Sequence, residues 1–294
     1  MNENEVKILV GRHGLQGLEE ITFNEIGLDF QVAFAKAQDG TRWVLRIPRR
    51  KDMLAQIKHE AQILELMKRR LKISVPDWKY VSSELVAYPL LKNVPALSVD
   101  GVTHQLTWNM DSKSKKFVSS LAAILVDLHK TPTEEAMTAG LILSSPEQVR
   151  LGISEDLQRV KLELGISAQK EMQLQAWIDN ESLWPPFSVL VHGDLYAGHT
   201  LVNKDGMITG IIDWSEAKVN DPSLDFAGHL AVFGEDSLED LINEYQKAGG
   251  TTWPSLLDHT KERNSASFLS FAIFALNSGE DDLIATAKEQ LLGE

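Results

Sequence analysis

Val191-His192-Gly193-Asp194-Leu195-Tyr196-Ala197-Gly198-His199, followed further on by Ile211-Ile212-Asp213-Trp214, is the stretch on which the reading turns. In both segments an aspartate stands directly after a short apolar run, Val189-Leu190-Val191 in the first and Ile208 to Ile212 in the second, and both runs read as strands. A carboxylate at a strand end is held by rigid backbone yet reaches solvent, which suits a group that must accept a proton or fix a cation. Taken singly, an aspartate after a strand is commonly a turn residue. These two are 19 residues apart, with Thr200-Leu201-Val202 returning through Asp205-Gly206 to form a hairpin between them, so they can converge on one site. Mg²⁺ ligation by one carboxylate and orientation of a nucleophilic hydroxyl by the other is the chemistry that phosphoryl transfer requires.

The flanking sequence predicts an α+β fold in two parts. Ile21 to Phe23, Phe30 to Ala37 and Arg42 to Ile47 read as strands, the last two closed by Asp39-Gly40. A single helix from about Asp52 to Leu71 follows, then strands near Trp78 to Val81 and Leu85 to Tyr88, so residues 1–92 form a small antiparallel lobe. Tyr88 to Pro95 contains two prolines, which lack ladder donors, and is expected to be an unpaired linker. Residues 93–294 read as a larger, mainly helical lobe, with helices at Lys113 to His129, Pro146 to Leu164, Ala168 to Asp179, Leu224 to Phe233, Leu238 to Ala248, Pro254 to Phe274 and Asp281 to Leu292.

Composition narrows the classes. The net charge of -13 argues against nucleic acid as a partner, since a phosphate backbone needs a basic face. The charge is unevenly shared: residues 1–92 carry 15 Lys and Arg against 12 Asp and Glu, whereas residues 93–294 carry 14 against 30. That split suits an anion received by the first lobe and a cation by the second. With no cysteine, disulfides, thiolate zinc sites and cysteine nucleophiles are excluded, so a metal here is a hard one bound by oxygen and imidazole. No apolar run is long enough for a membrane span, and the N-terminus lacks the pattern of a secretory leader. A cytoplasmic monomer is expected.

From His192 to His199, at Asp213, and in Asp221-Pro222-Ser223-Leu224-Asp225-Phe226, the chain resembles the aminoglycoside phosphotransferase family, small-molecule relatives of protein kinases. Their catalytic loop reads H-G-D-x-x-x-x-N and a metal-binding aspartate follows in an I-D-W-like segment. The resemblance covers nearly the whole chain, including the helix with Ser120 to His129, and implies a bilobal, protein-kinase-like fold. Carried over, Asp194 is the base and His192 braces the loop, while Asp213 binds the Mg²⁺ that bridges nucleotide phosphates. His199 stands where the wider family has Asn. Imidazole is an unexpected Mg²⁺ ligand, so His199 is a candidate for metal binding, for action through water, or for positioning Asp194. This substitution, with N-E-I-G-L-D-F at Asn24 to Phe30 and W-V-L-R-I-P-R-R at Trp43 to Arg50, is similar to the macrolide 2'-phosphotransferase branch of the family.

In the first lobe the kinase-like pattern asks for a cation on the third strand and a glutamate on the next helix, the places of Arg46 and Glu60. Glu60 falls in the apolar stripe Met53, Ile57, Leu64, Met67, where a carboxylate is costly without a partner. Arg46 replaces the family's more usual Lys, and its planar fork can engage carboxylate and phosphate oxygens together. Gly27 and Asp29, between the first two strands, occupy the place of the loop over the phosphates. Arg49, Arg50 and Lys51 are read as capping the next helix in solvent rather than facing phosphate. Tyr88, Leu90 and Leu91 are expected to offer backbone groups to a purine base. The resemblance implies GTP as donor, with ATP second.

The acidic lobe should hold the acceptor, with Tyr196, Asp225, Phe226, Trp253 and Phe271 as expected contacts. Its aromatic content suits a macrolactone with a large apolar face better than an aminoglycoside, and its negative charge suits the cationic amino sugar of a macrolide. The expected activity is therefore transfer of the γ-phosphate of GTP to the 2'-hydroxyl of the desosamine sugar of a macrolide, conferring antibiotic resistance. The alternatives are a kinase of another small alcohol such as an aminoglycoside or choline, a catalytically silent nucleotide-binding module, and a metal-dependent hydrolase built on the same His and Asp residues.

Overall fold

The structure, a computed structural model, describes residues 1–24, 29–50, 52–100, 103 and 105–293. They form two compact units, Met1–Leu121 with Glu134–Leu141 and Ala197–Ala217, and Ala122–Thr133 with Ile142–Tyr196 and Lys218–Glu294. The first unit thus takes in, beyond residues 1–92, the hairpin that carries His199 and Asp213. The expected α+β class is the one observed, with an antiparallel sheet in the N-terminal region and a mostly helical C-terminal part. No helix among the described residues is long and apolar enough to cross a membrane.

The chain begins with helix α1 (Glu3–Arg12), strands β1 (Glu19–Asn24), β2 (Phe30–Lys36) and β3 (Arg42–Pro48), helix α2 (Leu54–Arg70), and strands β4 (Tyr80–Val81) and β5 (Val86–Pro89). The strands form one antiparallel sheet in the order β1-β2-β3-β5-β4. Gly40, at φ +85°, closes the β2–β3 turn in the conformation that the Asp-Gly pair predicts. The period of two sorts the side chains: Ala33, Ala35, Leu45 and Ile47 pack on Val6, Leu9 and Val10 of α1, while Phe30, Val44, Val86 and Tyr88 pack on Met53 and Ile57 at the start of α2. One helix was expected in this region; α1 is a second, started by a capping box in which Asn2 and Glu5 satisfy each other's backbone N–H groups.

Strands β6 (Val94–Pro95), β7 (Leu97–Val99) and β8 (Leu106–Trp108) come next. The expectation that Tyr88 to Pro95 stays unpaired is corrected here, because Pro89 lies opposite Trp43 in β5 and Pro95 opposite Leu201 in β6. Each proline is the last residue of its strand, and β6 is an edge strand, so neither missing donor interrupts a ladder.

The remaining elements are α3 (Lys115–His129), α4 (Thr133–Thr138), α5 (Pro146–Glu163), α6 (Ala168–Asp179), β9 (Val189–Val191), β10 (Thr200–Val202), β11 (Ile208–Ile211), β12 (Lys218–Asn220), α7 (Leu224–Phe233), α8 (Glu235–Lys247), α9 (Leu256–Ser265), α10 (Ser267–Ser278) and α11 (Asp281–Leu292). In the second unit α5, α6, α10 and α11 share a core that includes Leu157, Val160, Leu174, Trp177, Leu269, Ala272 and Leu291. The single helix expected from Pro254 to Phe274 is instead α9 and α10, which meet at Ala266, where the backbone leaves helical geometry at φ -87° and ψ 5°.

Candidate active site

In the second unit β9 pairs with β12 and delivers the chain into the loop at His192. His192 is fully buried, Gly193 turns at φ +88°, and Asp194 is exposed. The Asp194 N–H donates to His192 Nδ1 at 3.3 Å, so the imidazole braces the loop from within. A second brace comes from α7. The buried Asp225 carboxylate accepts from the N–H groups of His192 (3.0 Å) and Gly193 (2.9 Å), and its Oδ2 lies 3.2 Å from Nε2 of His129, whose Nδ1 is 2.9 Å from the Tyr245 hydroxyl. Hydrogen bonds to a charged acceptor in a low-dielectric interior are the strong kind, and these fix the backbone that presents Asp194.

This geometry corrects three of the expected acceptor contacts. Asp225 clamps the loop. Phe226 is wholly buried, edge-on to Tyr245 at 5.3 Å. Trp253 is buried too, its indole N–H donating to Leu183 O at 2.7 Å. Phe271 lies half-buried against the helical core and Tyr196 is half-buried in the loop.

Asp194 opens onto a cleft of about 280 Å³ within this unit, lined also by Ile153 and Asp156 of α5, Leu224 and Ala227 of α7, and Arg263 of α9. Arg263 is held to Asp221 and donates to Ser223 Oγ at 2.6 Å. Asp221 is buried; burial opposes its charge, but Arg263 and His259 outweigh that and hold the carboxyl well below the usual range. The Trp177 indole N–H donates to His259 Nδ1 at 3.1 Å, which leaves the ring proton on Nε2, 2.6 Å from Asp221 Oδ2.

Gly228 of α7 escaped the sequence reading and is one of the most constrained positions of this unit. A Cβ there meets Leu195 O at 2.3 Å and Tyr196 Cβ at 2.9 Å, so the helix and the loop carrying Asp194 touch backbone to backbone. Gly228→Ala must push that loop away, and we expect a loss of about 1–3 kcal/mol in stability together with at least about a tenfold fall in turnover. Thermal unfolding and steady-state rates read the two effects; a variant with wild-type values for both removes the tight packing as a requirement.

In the first unit the β10–β11 register sets Thr200 opposite Ile211, which brings the residues flanking the hairpin, His199 and Asp213, together. Ile212 N–H donates to His199 O at 3.0 Å, and His199 Nε2 lies 3.8 Å from Asp213 Oδ2. Asp213 is in the left-handed region at φ +64°, a conformation that costs a residue with a side chain on the order of 1–2 kcal/mol. Its side chain is 42% exposed, with Ser215 Oγ donating to Oδ1 at 3.0 Å. The carboxylate oxygen and imidazole nitrogen are close enough to share one cation, of which the oxygen is the harder ligand. Among the described residues no group of three or more metal-ligating side chains is assembled.

Arg46 Nη1 donates to Glu60 Oε1 at 2.7 Å, and the guanidinium lies 4.2 Å from the Phe30 ring centre. Glu60 therefore has the partner that its place in the apolar stripe demands. Burial opposes the charge of Arg46, and the Glu60 carboxylate, with a smaller contribution from Asp213, more than offsets it and keeps the guanidinium protonated. The other expected nucleotide contacts fare differently. Leu90 N–H donates to Arg42 O at 2.7 Å and so is not offered to a base. The Tyr88 ring is buried in the sheet core, where burial pushes its hydroxyl above the usual range, and Leu91 is half-buried. Asp29 accepts from Arg50 at 2.9 Å and Gln56 at 3.4 Å, tethering β2 to the start of α2. Gly27 and Lys51 lie outside the described residues.

The family model described as the phosphotransferase enzyme family matches residues 20–259. The chain belongs to the phosphotransferase enzyme family. As a member it is an enzyme whose acceptor group is a hydroxyl. A solved macrolide 2'-phosphotransferase type I superposes with a TM-score of 0.94 at 41% identity, over 99% of this chain and 97% of that one. The apoenzyme of macrolide 2'-phosphotransferase MphH from Brachybacterium faecium superposes at 0.88 with 38% identity, over 98% and 97%. The uncharacterised protein YcbJ of Bacillus subtilis (strain 168) is 39% identical over 298 residues, 99% of this chain and 97% of that one. The GDP and kanamycin complex of APH(2")-IIia, at 19% identity and a TM-score of 0.79, shares the phosphotransferase fold.

Proposed function

We propose that the protein is a macrolide kinase that transfers the γ-phosphate of GTP to the 2'-hydroxyl of a macrolide's desosamine sugar and so inactivates the antibiotic, acting as a cytoplasmic monomer. The end-to-end similarity to the macrolide 2'-phosphotransferase type I, at 41% identity, carries the reading. The cleft beside Asp194 supports it, because Ile153, Leu195, Leu224 and Leu269 give that cleft apolar walls. GTP is the donor that the resemblance to the macrolide branch implies, with ATP as the alternative.

In this reading Asp194 accepts or orients the proton of the acceptor hydroxyl, held in place by His192 and Asp225. Asp213 and His199 would hold Mg²⁺, which would supply neutralising charge to the nucleotide phosphates. The Arg46–Glu60 pair fixes the position of β3 against α2 and supplies a cation for the phosphates. Little covalent work falls to the protein; positioning and electrostatics supply most of the rate.

The test incubates the protein with Mg²⁺, GTP or ATP, and erythromycin, 2'-O-acetylated erythromycin or kanamycin, and reads the acceptor's mass. A phosphate added to erythromycin but to neither the blocked derivative nor kanamycin is the expected result. Addition to kanamycin alone, or to no acceptor, overturns the macrolide assignment.

A further inference from the structure

Helix α5 sends two neighbouring side chains, Ile153 and Asp156, into the cleft that holds Asp194. Their i, i+3 spacing places them on one face, beside Val149, Leu157 and Val160, which belong to the buried core. A carboxylate on such an inner flank ordinarily meets a cation of its own protein. Here both candidates are engaged elsewhere. Arg159, one turn along α5, donates to Glu163 and Asn277, each at 2.8 Å. Arg263, which lines the same cleft, is taken up by Asp221 and Ser223. Burial raises the Asp156 carboxyl above its usual range, and Arg159 only partly opposes this.

The cleft therefore holds two carboxylates, Asp156 and Asp194, against a single guanidinium already neutralised by Asp221. Its apolar walls thin the water that would otherwise screen these charges. An acceptor that brings a cation meets an ion partner ready for it. A neutral alcohol leaves Asp156 partly stripped of water with nothing in return, which penalises the wrong acceptor as well as rewarding the right one.

We infer that Asp156 is a specificity-determining residue that receives the protonated amine carried by the acceptor next to the hydroxyl engaged by Asp194. The inference rests on the cleft being the acceptor site of the proposed function, and it adds the residue that selects amino-sugar acceptors over neutral ones.

The experiment compares the protein with its Asp156→Asn and Asp156→Glu variants on two acceptors that share the 2'-hydroxyl: erythromycin, and its N-demethyl-N-acetyl derivative, in which an amide replaces the amine. The wild type should prefer the amine in kcat/KM by about tenfold to a hundredfold, the range of a hydrogen bond to a charged group. Asp156→Asn should bring that preference close to unity through the KM for erythromycin, and Asp156→Glu should restore part of it. An Asn variant that keeps the wild-type preference, or that loses activity equally on both acceptors, overturns the inference, because a merely structural residue does not distinguish amine from amide. Should kanamycin alone be phosphorylated, the macrolide reading fails by itself. The same variants on kanamycin then decide this one: a raised KM in Asp156→Asn supports it and an unchanged KM overturns it.

Discussion

We expect Asp194→Asn to lower kcat by about 10²- to 10⁴-fold, the contribution of the general base proposed at residue 194, while nucleotide binding and thermal stability stay at wild-type values. The separation of these effects follows from how the loop is held. His192 and Asp225 grip the backbone N–H groups of residues 192, 193 and 194, so the brace is indifferent to what the side chain of residue 194 carries. The side chain is exposed, and asparagine matches its shape, so the variant loses charge and basicity without leaving a cavity. Residual transfer above the uncatalysed rate is expected, because the acceptor is still oriented and the phosphates still bound. Rapid-quench single-turnover assays separate the chemical step from binding. Transfer within about tenfold of wild type would mean that no base of pKa-tuned strength acts at residue 194 and that positioning alone suffices.

The legible parts of the molecule were those whose signal is local. The β2–β3 hairpin is written in Asp39-Gly40, α2 in its apolar stripe, and the partnership of Arg46 with Glu60 in the presence of an acid within that stripe. The hairpin between the two aspartates equally foretells that His199 and Asp213 approach each other, since antiparallel pairing places His199, just before β10, beside Ile212, just after β11, with Asp213 next in the chain. Illegible were β7 and β8, which pair with each other but bury too little to mark an apolar face, β8 being exposed throughout, and β12, whose pairing is imposed by β9, distant in sequence. The break between α9 and α10 carries neither glycine nor proline. Three of the five expected acceptor contacts are buried, for a different reason. Residue type states what a side chain can do, not which way its helix turns it, and α7 turns Asp225, Phe226 and His229 inward. Asp156 had a signal that went unread, because it stands one turn from Ile153 beside the Val149, Leu157 and Val160 stripe, as Glu60 stands in its own.

For Asp213→Asn we expect the affinity for Mg²⁺-nucleotide to fall by at least about tenfold, with the Mg²⁺ dependence of nucleotide binding flattened. The local field favours a cation at this place. Asp213 acts on both members of the Arg46–Glu60 pair, so the neighbourhood sums to two carboxylates against one guanidinium, and an added positive charge relieves the excess. The backbone makes the same argument independently. Asp213 holds φ +64°, where glycine would sit without strain, so the fold gains nothing from a carboxylate here that a glycine would not give more cheaply. Asparagine tolerates this conformation, so Asp213→Asn should unfold at the wild-type temperature. Asp213→Ala should lose about 1 kcal/mol besides its nucleotide affinity, which makes asparagine the cleaner probe. His199→Asn provides the counterpart: it exchanges an imidazole nitrogen for an amide oxygen, which a hard cation accepts at least as well, so nucleotide affinity at low Mg²⁺ should be kept. Fluorescence titration of nucleotide across a range of Mg²⁺ concentrations reads all three variants. If Asp213→Asn binds nucleotide with the wild-type Mg²⁺ dependence, the carboxylate is no metal ligand, and the strain at residue 213 serves the turn into Trp214 instead.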